Sequence, residues 1–225
     1  MAMKIEKSAI PGVFWLENGK KHPATINLVP GIRVYGEKLV TEEGIEYREW
    51  DPYRSKIGAA IMRSVDLPIK AGDKVLYLGV ASGTTASHVS DIVGAKGKVY
   101  GVDIAERTMR DFIFVAEKRK NLLPILSDAQ KPENYMFVGT VDFVFADVAM
   151  PNQTEILIRN CDAFLKKGGY AMISVKARSI DVNAKPSDIF AEEEVSLKQH
   201  FEIIDKKRLE PYEKDHIIFL LKKAL

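Results

Sequence analysis

From Asp73 onward the chain alternates short apolar runs with segments of helical spacing, and this alternation restricts the fold more than any other feature. KVLYLGV, KVYGVDI, LPILSDA, VDFVFADVA and YAMISVKA read as strands. TTASHVSDIVG, ERTMRDFIFVAEKRK and QTEILIRNCDAFLKK, the last closed by Gly168-Gly169, read as helices. Strands separated by helical patterns of roughly 10–15 residues imply a parallel, doubly wound α/β sheet of the Rossmann type. A helix near SDIFAEEEVSLKQH precedes two consecutive strands, FEIIDKKRL and HIIFLLKK. They are joined by EPYEKD with no helix between, which implies a terminal antiparallel hairpin.

The first fifty residues have a different pattern. VFWLENGKKHPATINLVPG and GIRVYGEKLVTEEGIEYREW are short β-type runs broken by Asn18-Gly19, Pro30-Gly31, Gly36 and Gly44. We therefore expect a small antiparallel β-rich unit over residues 1–54, with too few apolar residues to stand alone, and a second domain over 55–225. In RSKIGAAIMRSV the apolar Ile57, Ala60, Ile61 and Val65 have helical spacing. No apolar run is long enough to span a bilayer, and MAMKIEKSAI lacks a signal-peptide core. One cysteine excludes an internal disulfide and fits a reducing compartment, so a cytoplasmic location is expected. Cys161 shares a helical apolar face with Leu157, Phe164 and Leu165, and reads as core. With 33 basic against 31 acidic residues, the net charge of +2 is too small for strong unaided capture of nucleic acid.

Ligands of open α/β sheets bind at the carboxyl ends of the strands, where VLYLGVASGTT enters its turn. The turn reads Gly79-Val80-Ala81-Ser82-Gly83-Thr84. Alanine occupies the position where a dinucleotide fingerprint needs a second glycine, and there is no Gly-Lys-Ser/Thr of a P-loop. Asp103 ends the next strand, where a carboxylate can accept both ribose hydroxyls. Asp128 ends the third strand, placed for an exocyclic amino group. Thr84 and Thr85 open a helix whose N–H groups and hydroxyls suit a carboxylate. A nucleoside site without a pyrophosphate cradle points to S-adenosyl-L-methionine, and no metal ion is expected.

The blocks EYREWDPYRSKIGAAI, VLYLGVASGTTASHVSD, ILSDAQKPENY, VDFVFADVAMPNQ, GGYAMISVKARSID and LEPYEKDH resemble, in order, those of the fibrillarin family of RNA ribose 2′-O-methyltransferases. Lacking a glycine–arginine-rich N-terminal tail, the chain is similar to the archaeal members. The resemblance implies a class I methyltransferase sheet and a Lys–Asp–Lys–His catalytic set, here Lys56, Asp147, Lys176 and His216. It also implies that Gly79, Ala81, Ile104, Ala129, Asp147, Val148, Ala149 and Met150 line the cofactor site with Thr84, Thr85, Asp103 and Asp128. Asp103 stands where the family commonly has glutamate, Met150 where it has glutamine, and Asp51 where it has asparagine. The family works inside a box C/D particle, in which guide RNA pairs with target rRNA or tRNA. A Nop-domain scaffold and a kink-turn-binding protein related to ribosomal protein L7 hold that guide.

Asp147 and Lys176 end successive strands, so both can face one rim. Lys176 is the expected group nearest the 2′-oxygen, as a cation stabilising the alkoxide or, if neutral, as its base. Asp147 would orient that lysine and the hydroxyl, while Lys56 and His216 complete the charge arrangement. By residue type alone, a strand-end lysine is ordinarily a solvated end, and a histidine after a charged loop is ordinarily surface. Two other readings stand beside the methyltransferase: a nicotinamide-dependent oxidoreductase, and a non-enzymatic scaffold subunit with a vestigial cofactor fold. The core position of Cys161 and the absence of an Asn-Pro-Pro-aromatic motif after the fourth strand argue against methylation of a cytosine carbon or an exocyclic amine.

Overall fold

The computed structural model describes residues 4–224 and places them in two sheets. The first is antiparallel and runs β1 (Lys4–Lys7), β2 (Val13–Glu17), β3 (Lys21–Ile26), β4 (Leu39–Glu42) and β5 (Ile45–Glu49), in the order β1-β2-β3-β5-β4. Asn18-Gly19 turns β2 into β3, with Gly19 at φ +72°, a conformation that glycine adopts without strain. The sheet's own buried apolar cluster is only Leu16, Ala24 and Tyr47.

Helix α1 (Lys56–Met62) follows, its N-terminus capped by the Ser55 hydroxyl, which accepts the Gly58 N–H at 3.1 Å. The apolar spacing that suggested a longer helix includes Val65. The chain instead leaves the helix after Met62, and Val65 reaches the core from the turn beyond it.

The second sheet holds β6 (Lys74–Leu78), β7 (Lys98–Asp103), β8 (Leu122–Leu126), β9 (Val141–Ala146), β10 (Leu165–Lys176), β11 (Phe201–Arg208) and β12 (His216–Lys223). Their order is β11-β12-β10-β9-β6-β7-β8; β6 to β10 are parallel, and β12 runs antiparallel between β10 and β11. Both faces are covered, which is why the strands read as continuous apolar runs. Val75, Tyr77, Phe143 and Phe145 pack on the side of α1, α2 (Thr84–Val93) and α3 (Glu106–Lys118). Leu76, Leu78, Val144 and Ala146 pack on the side of α4 (Gln153–Phe164) and, beyond the short α5 (Ala177–Ile180), α6 (Pro186–Lys198).

The expectation that α4 runs to the Gly168-Gly169 pair is corrected. The helix ends at Phe164, and Leu165 is already extended and paired with Val141 of β9. Lys166 is committed to the strand as well, its Nζ 2.6 Å from Asp142 Oδ1. The glycines instead lie in an irregularity between Leu165 and Tyr170, where the register shifts and Gly168 takes φ +68°.

Helix α2 is buried on nearly every side although it carries Ser87, His88, Ser90 and Asp91. The first sheet with its loops, and Arg119 at the end of α3, supply their partners. From β5, Arg48 donates to Glu37 (2.7 Å), Asp91 (2.8 Å) and Ser87 (3.0 Å). Arg119 ion-pairs with the other oxygen of Asp91 and donates to Asn27 at 2.8 Å. Thr25 Oγ1 donates to Asp91, so it accepts the Nδ1–H of His88 at 2.8 Å. Tyr35 OH lies 2.7 Å from the other ring nitrogen, and Trp50 stacks on the imidazole at 4.6 Å. A sheet with little core of its own is thus fastened by a seam of buried ions and hydrogen bonds.

Candidate active site

The end of β6 must pass close to the end of β9, and glycine permits it. A Cβ on Gly79, which sits at φ +79°, would stand 2.4 Å from the Asp147 carbonyl oxygen. Beyond it, Ala81 takes φ +49°, a left-handed conformation costly for a residue with a Cβ. Its N–H donates to Asp103 Oδ2 at 2.8 Å, and Ala105 N–H donates to Oδ1 at 2.9 Å, so the carboxylate is fixed at the end of β7. Asp128 accepts the Gln130 N–H at 2.9 Å, leaving its second oxygen out of that turn. Asn160 of α4 braces the same segment by donating to the Ala129 carbonyl at 2.9 Å.

These strand ends enclose a cavity of about 280 Å³. Gly79, Ala81, Asp103, Ile104, Asp128, Ala129, Asp147, Val148, Ala149 and Met150 all line it. Val102, Ser127, Gln130 and Ile156 line it as well and were not anticipated. The two threonines are placed differently. Thr85 is buried and its hydroxyl donates to Ser55 Oγ at 2.9 Å, so that group is engaged with the cap of α1. Thr84 faces a separate cleft beside Val34, Tyr35 and Phe114. What both still offer toward the turn is backbone N–H at a helix N-terminus.

Asp147 joins this cavity to a charged cluster. Its Oδ2 lies 3.4 Å from Lys56 Nζ, at the start of α1. Burial pushes the Asp147 carboxyl above the ordinary aspartate range, opposed by the charges of Lys56 and His216. Desolvation pulls the Lys56 ammonium down, but Asp147 and Glu213 outweigh it and hold it above its ordinary value. His216 opens β12 directly opposite Lys176 at the end of β10. Its Nδ1 lies 2.7 Å from the Lys214 carbonyl, which can only accept, so Nδ1 carries the hydrogen. Lys176 is exposed and forms no ion pair among the described residues. Gln153 holds its backbone instead, accepting the Lys176 N–H at 3.1 Å from a fully buried position at the start of α4.

Glu213 is the group that sequence reasoning missed. Its Oε1 is 3.5 Å from Lys56 Nζ and its Oε2 is 4.0 Å from His216 Nδ1. The only signal in the sequence was its place within LEPYEKDH, three residues before the histidine.

The Fibrillarin family profile matches residues 4–224. The chain belongs to the fibrillarin family. A relative from Pyrococcus abyssi, a fibrillarin-like rRNA/tRNA 2′-O-methyltransferase, is 52% identical over 226 residues, covering 99% of this chain and 100% of its own. The solved fibrillarin of Aeropyrum pernix, a complex with natively bound S-adenosyl-L-methionine, is 45% identical with a TM-score of 0.90, covering 98% of this chain and 99% of that one. A chain from a fibrillarin/Nop5p complex is 37% identical with a TM-score of 0.87, covering 96% and 100%. Fibrillarin membership and the seven-stranded methyltransferase sheet displace the nicotinamide reading.

Proposed function

We propose that this chain methylates ribose 2′-hydroxyls of rRNA and tRNA with S-adenosyl-L-methionine, as the catalytic subunit of a box C/D RNA–protein particle. The observation that carries the reading is Asp147, which lines the nucleoside-sized cavity and pairs with Lys56 beside His216. The cofactor fits the residues present: Asp103 offers lone pairs for ribose hydroxyls, Asp128 for an amino group, and the α2 N-terminus its N–H groups for a carboxylate. When bound, it supplies an electrophilic methyl group on a sulfonium.

A ribose hydroxyl is a very weak acid, so the protein's part is to orient the oxygen and stabilise its growing negative charge. Lys176 is the proposed cation nearest that oxygen. Asp147, held by Lys56, orients the hydroxyl, and His216, with Nδ1–H anchored on Lys214, presents Nε2 to the same space. Among the described residues no helix is long and apolar enough to cross a membrane.

Target choice belongs to the partners. The fibrillarin/Nop5p complex supports docking on a Nop-domain scaffold, and the net charge of +2 fits delegation of RNA capture to that scaffold, the guide and the L7-related protein. Residues 1–54 and 55–225 serve as its two units, one bracing α2 and the other carrying the chemistry. Reconstitution with guide, target and both proteins is expected to give methylation at the guide-specified nucleotide, with none from the chain alone. In that assembly Lys176→Met should lower single-turnover methyl transfer by about two orders of magnitude while cofactor binding persists. A near-normal rate in the mutant removes Lys176 from the 2′-oxygen.

A further inference from the structure

A carboxylate beside a centre that must stabilise a growing negative charge is unfavourable unless it acts on the cations there. Glu213 meets that condition at Lys56, which Oε1 addresses at 3.5 Å, while Oε2 lies 4.0 Å from His216 Nδ1. Lys56 stands almost equidistant from its two carboxylates, 3.4 Å from Asp147 and 3.5 Å from Glu213. Neither distance is the 2.7–2.9 Å of a committed charge-assisted hydrogen bond, so the ammonium is shared between them.

The turn bearing Glu213 is fixed on two sides. Tyr212, just before it, packs edge to face on Tyr53 with centroids 5.1 Å apart, and Tyr53 precedes Lys56 by three residues. On the other side Asp215 accepts the Ala177 N–H through its carbonyl at 3.1 Å and pairs with Arg178 at 3.2 Å, which ties the turn to the end of β10 beside Lys176. The turn between β11 and β12 is therefore braced against both elements that carry the lysines of the cluster.

We propose that Glu213 is a positioning residue of the reaction centre, drawing Lys56 off Asp147 so that Asp147 keeps lone pairs free for the incoming ribose hydroxyl. This rests on the methyltransferase reading above. Without Glu213, nothing opposes contraction of Lys56 onto Asp147, and a tight pair would occupy the lone pairs through which Asp147 orients the nucleophile. The groups around Lys56 are Asp147 from the end of β9 and Glu213 from the β11–β12 connection, with His216 at the start of β12 4.0 Å from Glu213 and Lys176 opposite it on β10. Of these, only the two carboxylates hold its ammonium, so removing one shifts Lys56 in a stated direction. Asp147 then loses the Glu213 charge and gains a closer Lys56, and both changes lower its titration.

Two readouts test this. In the reconstituted particle, with cofactor and RNA saturating, Glu213→Gln should lower the single-turnover rate by about ten- to a hundredfold, with cofactor affinity within twofold of wild type. Glu213→Asp, which keeps the charge on a shorter stem, should recover part of the loss. In the isolated protein, NMR of the carboxylates should show the Asp147 titration moved down in Glu213→Gln and partly restored in Glu213→Asp. A Glu213→Gln particle with the wild-type rate, or an unmoved Asp147 titration, overturns the proposal. If instead the wild-type particle methylates nothing, the functional reading fails while the titration still reports on Glu213.

Discussion

Asp103 accepts two backbone N–H groups, from Ala81 and Ala105, lines the cavity, and retains a lone pair on each oxygen. Substitution by alanine removes both braces together with any ligand contact, whereas asparagine keeps one acceptor oxygen and so one brace, which makes it the milder probe. Asp103→Asn should weaken S-adenosyl-L-methionine binding by at least tenfold in calorimetry, the equivalent of losing about 1.5–3 kcal/mol of charge-assisted bonding, with the melting temperature little changed. Unchanged affinity would return Asp103 to the role of a turn carboxylate. Residues of this kind were legible because strand ends in an alternating α/β chain fall on one rim, and Asp103, Asp128 and Asp147 each close an apolar run. Glu213 was not, because a glutamate in a charged turn has no periodicity to mark it. Its partner Lys56 belongs to a helix at the other end of the chain. The hydroxyl of Thr85 was misplaced for a similar reason: nothing in the sequence reveals that Ser55 reaches it.

At the scale of elements, strand and helix types followed from apolar spacing, but their ends followed from tertiary contacts. Leu165 leaves α4 early because β9 offers it a pairing partner, which no local propensity encodes. The α2 entry shows the opposite case, where one residue type fixes an element's position. Gly83 takes φ +85°, and a Cβ there would stand 2.3 Å from Phe112 Cδ2 of α3. Gly101 on β7 opens the same space, where a Cβ would meet the ring at 2.5 Å. Two glycines thus let Phe112 pack under the cofactor turn. Gly83→Ala should cost roughly 2–4 kcal/mol, combining left-handed strain with overpacking. Chemical denaturation checks the total, and adding Phe112→Leu should recover the overpacking share. Equal costs in both backgrounds would mean that strain alone is responsible.

Across the whole molecule, the seam between the two sheets couples stability to pH. His88 is fully buried, and burial first, then the charges of Arg48 and Arg119, hold its imidazole well below the ordinary histidine range. In the unfolded chain it takes a proton near pH 6.5, whereas the folded protein resists. The unfolded state therefore binds more protons below that pH, and stability falls with acidification by up to about 1.4 kcal/mol per pH unit. Above pH 6.5 the penalty is absent. Melting temperatures of wild type should fall more steeply between pH 6.5 and 5.5 than those of His88→Gln, which has no titrating ring. Parallel slopes would show that His88 is not the sensitive group. The sequence disclosed the small β unit and its thin core, but not this seam, whose partners Thr25, Arg48, His88, Asp91 and Arg119 look like ordinary surface residues in a linear reading.

The placement of β12 between β10 and β11 also sets an order of events during synthesis. Residues 79–156 supply every wall of the cofactor cavity, while the charged cluster spans Lys56 to His216. Chains fold from the N-terminal side as they emerge. A growing polypeptide thus contains every residue that lines the cavity well before the turn bearing Glu213 and the strand bearing His216. β12 then completes the sheet between β10 and β11 and brings His216 opposite Lys176. The charged cluster is complete only once β12 has been made, later than every wall of the cavity.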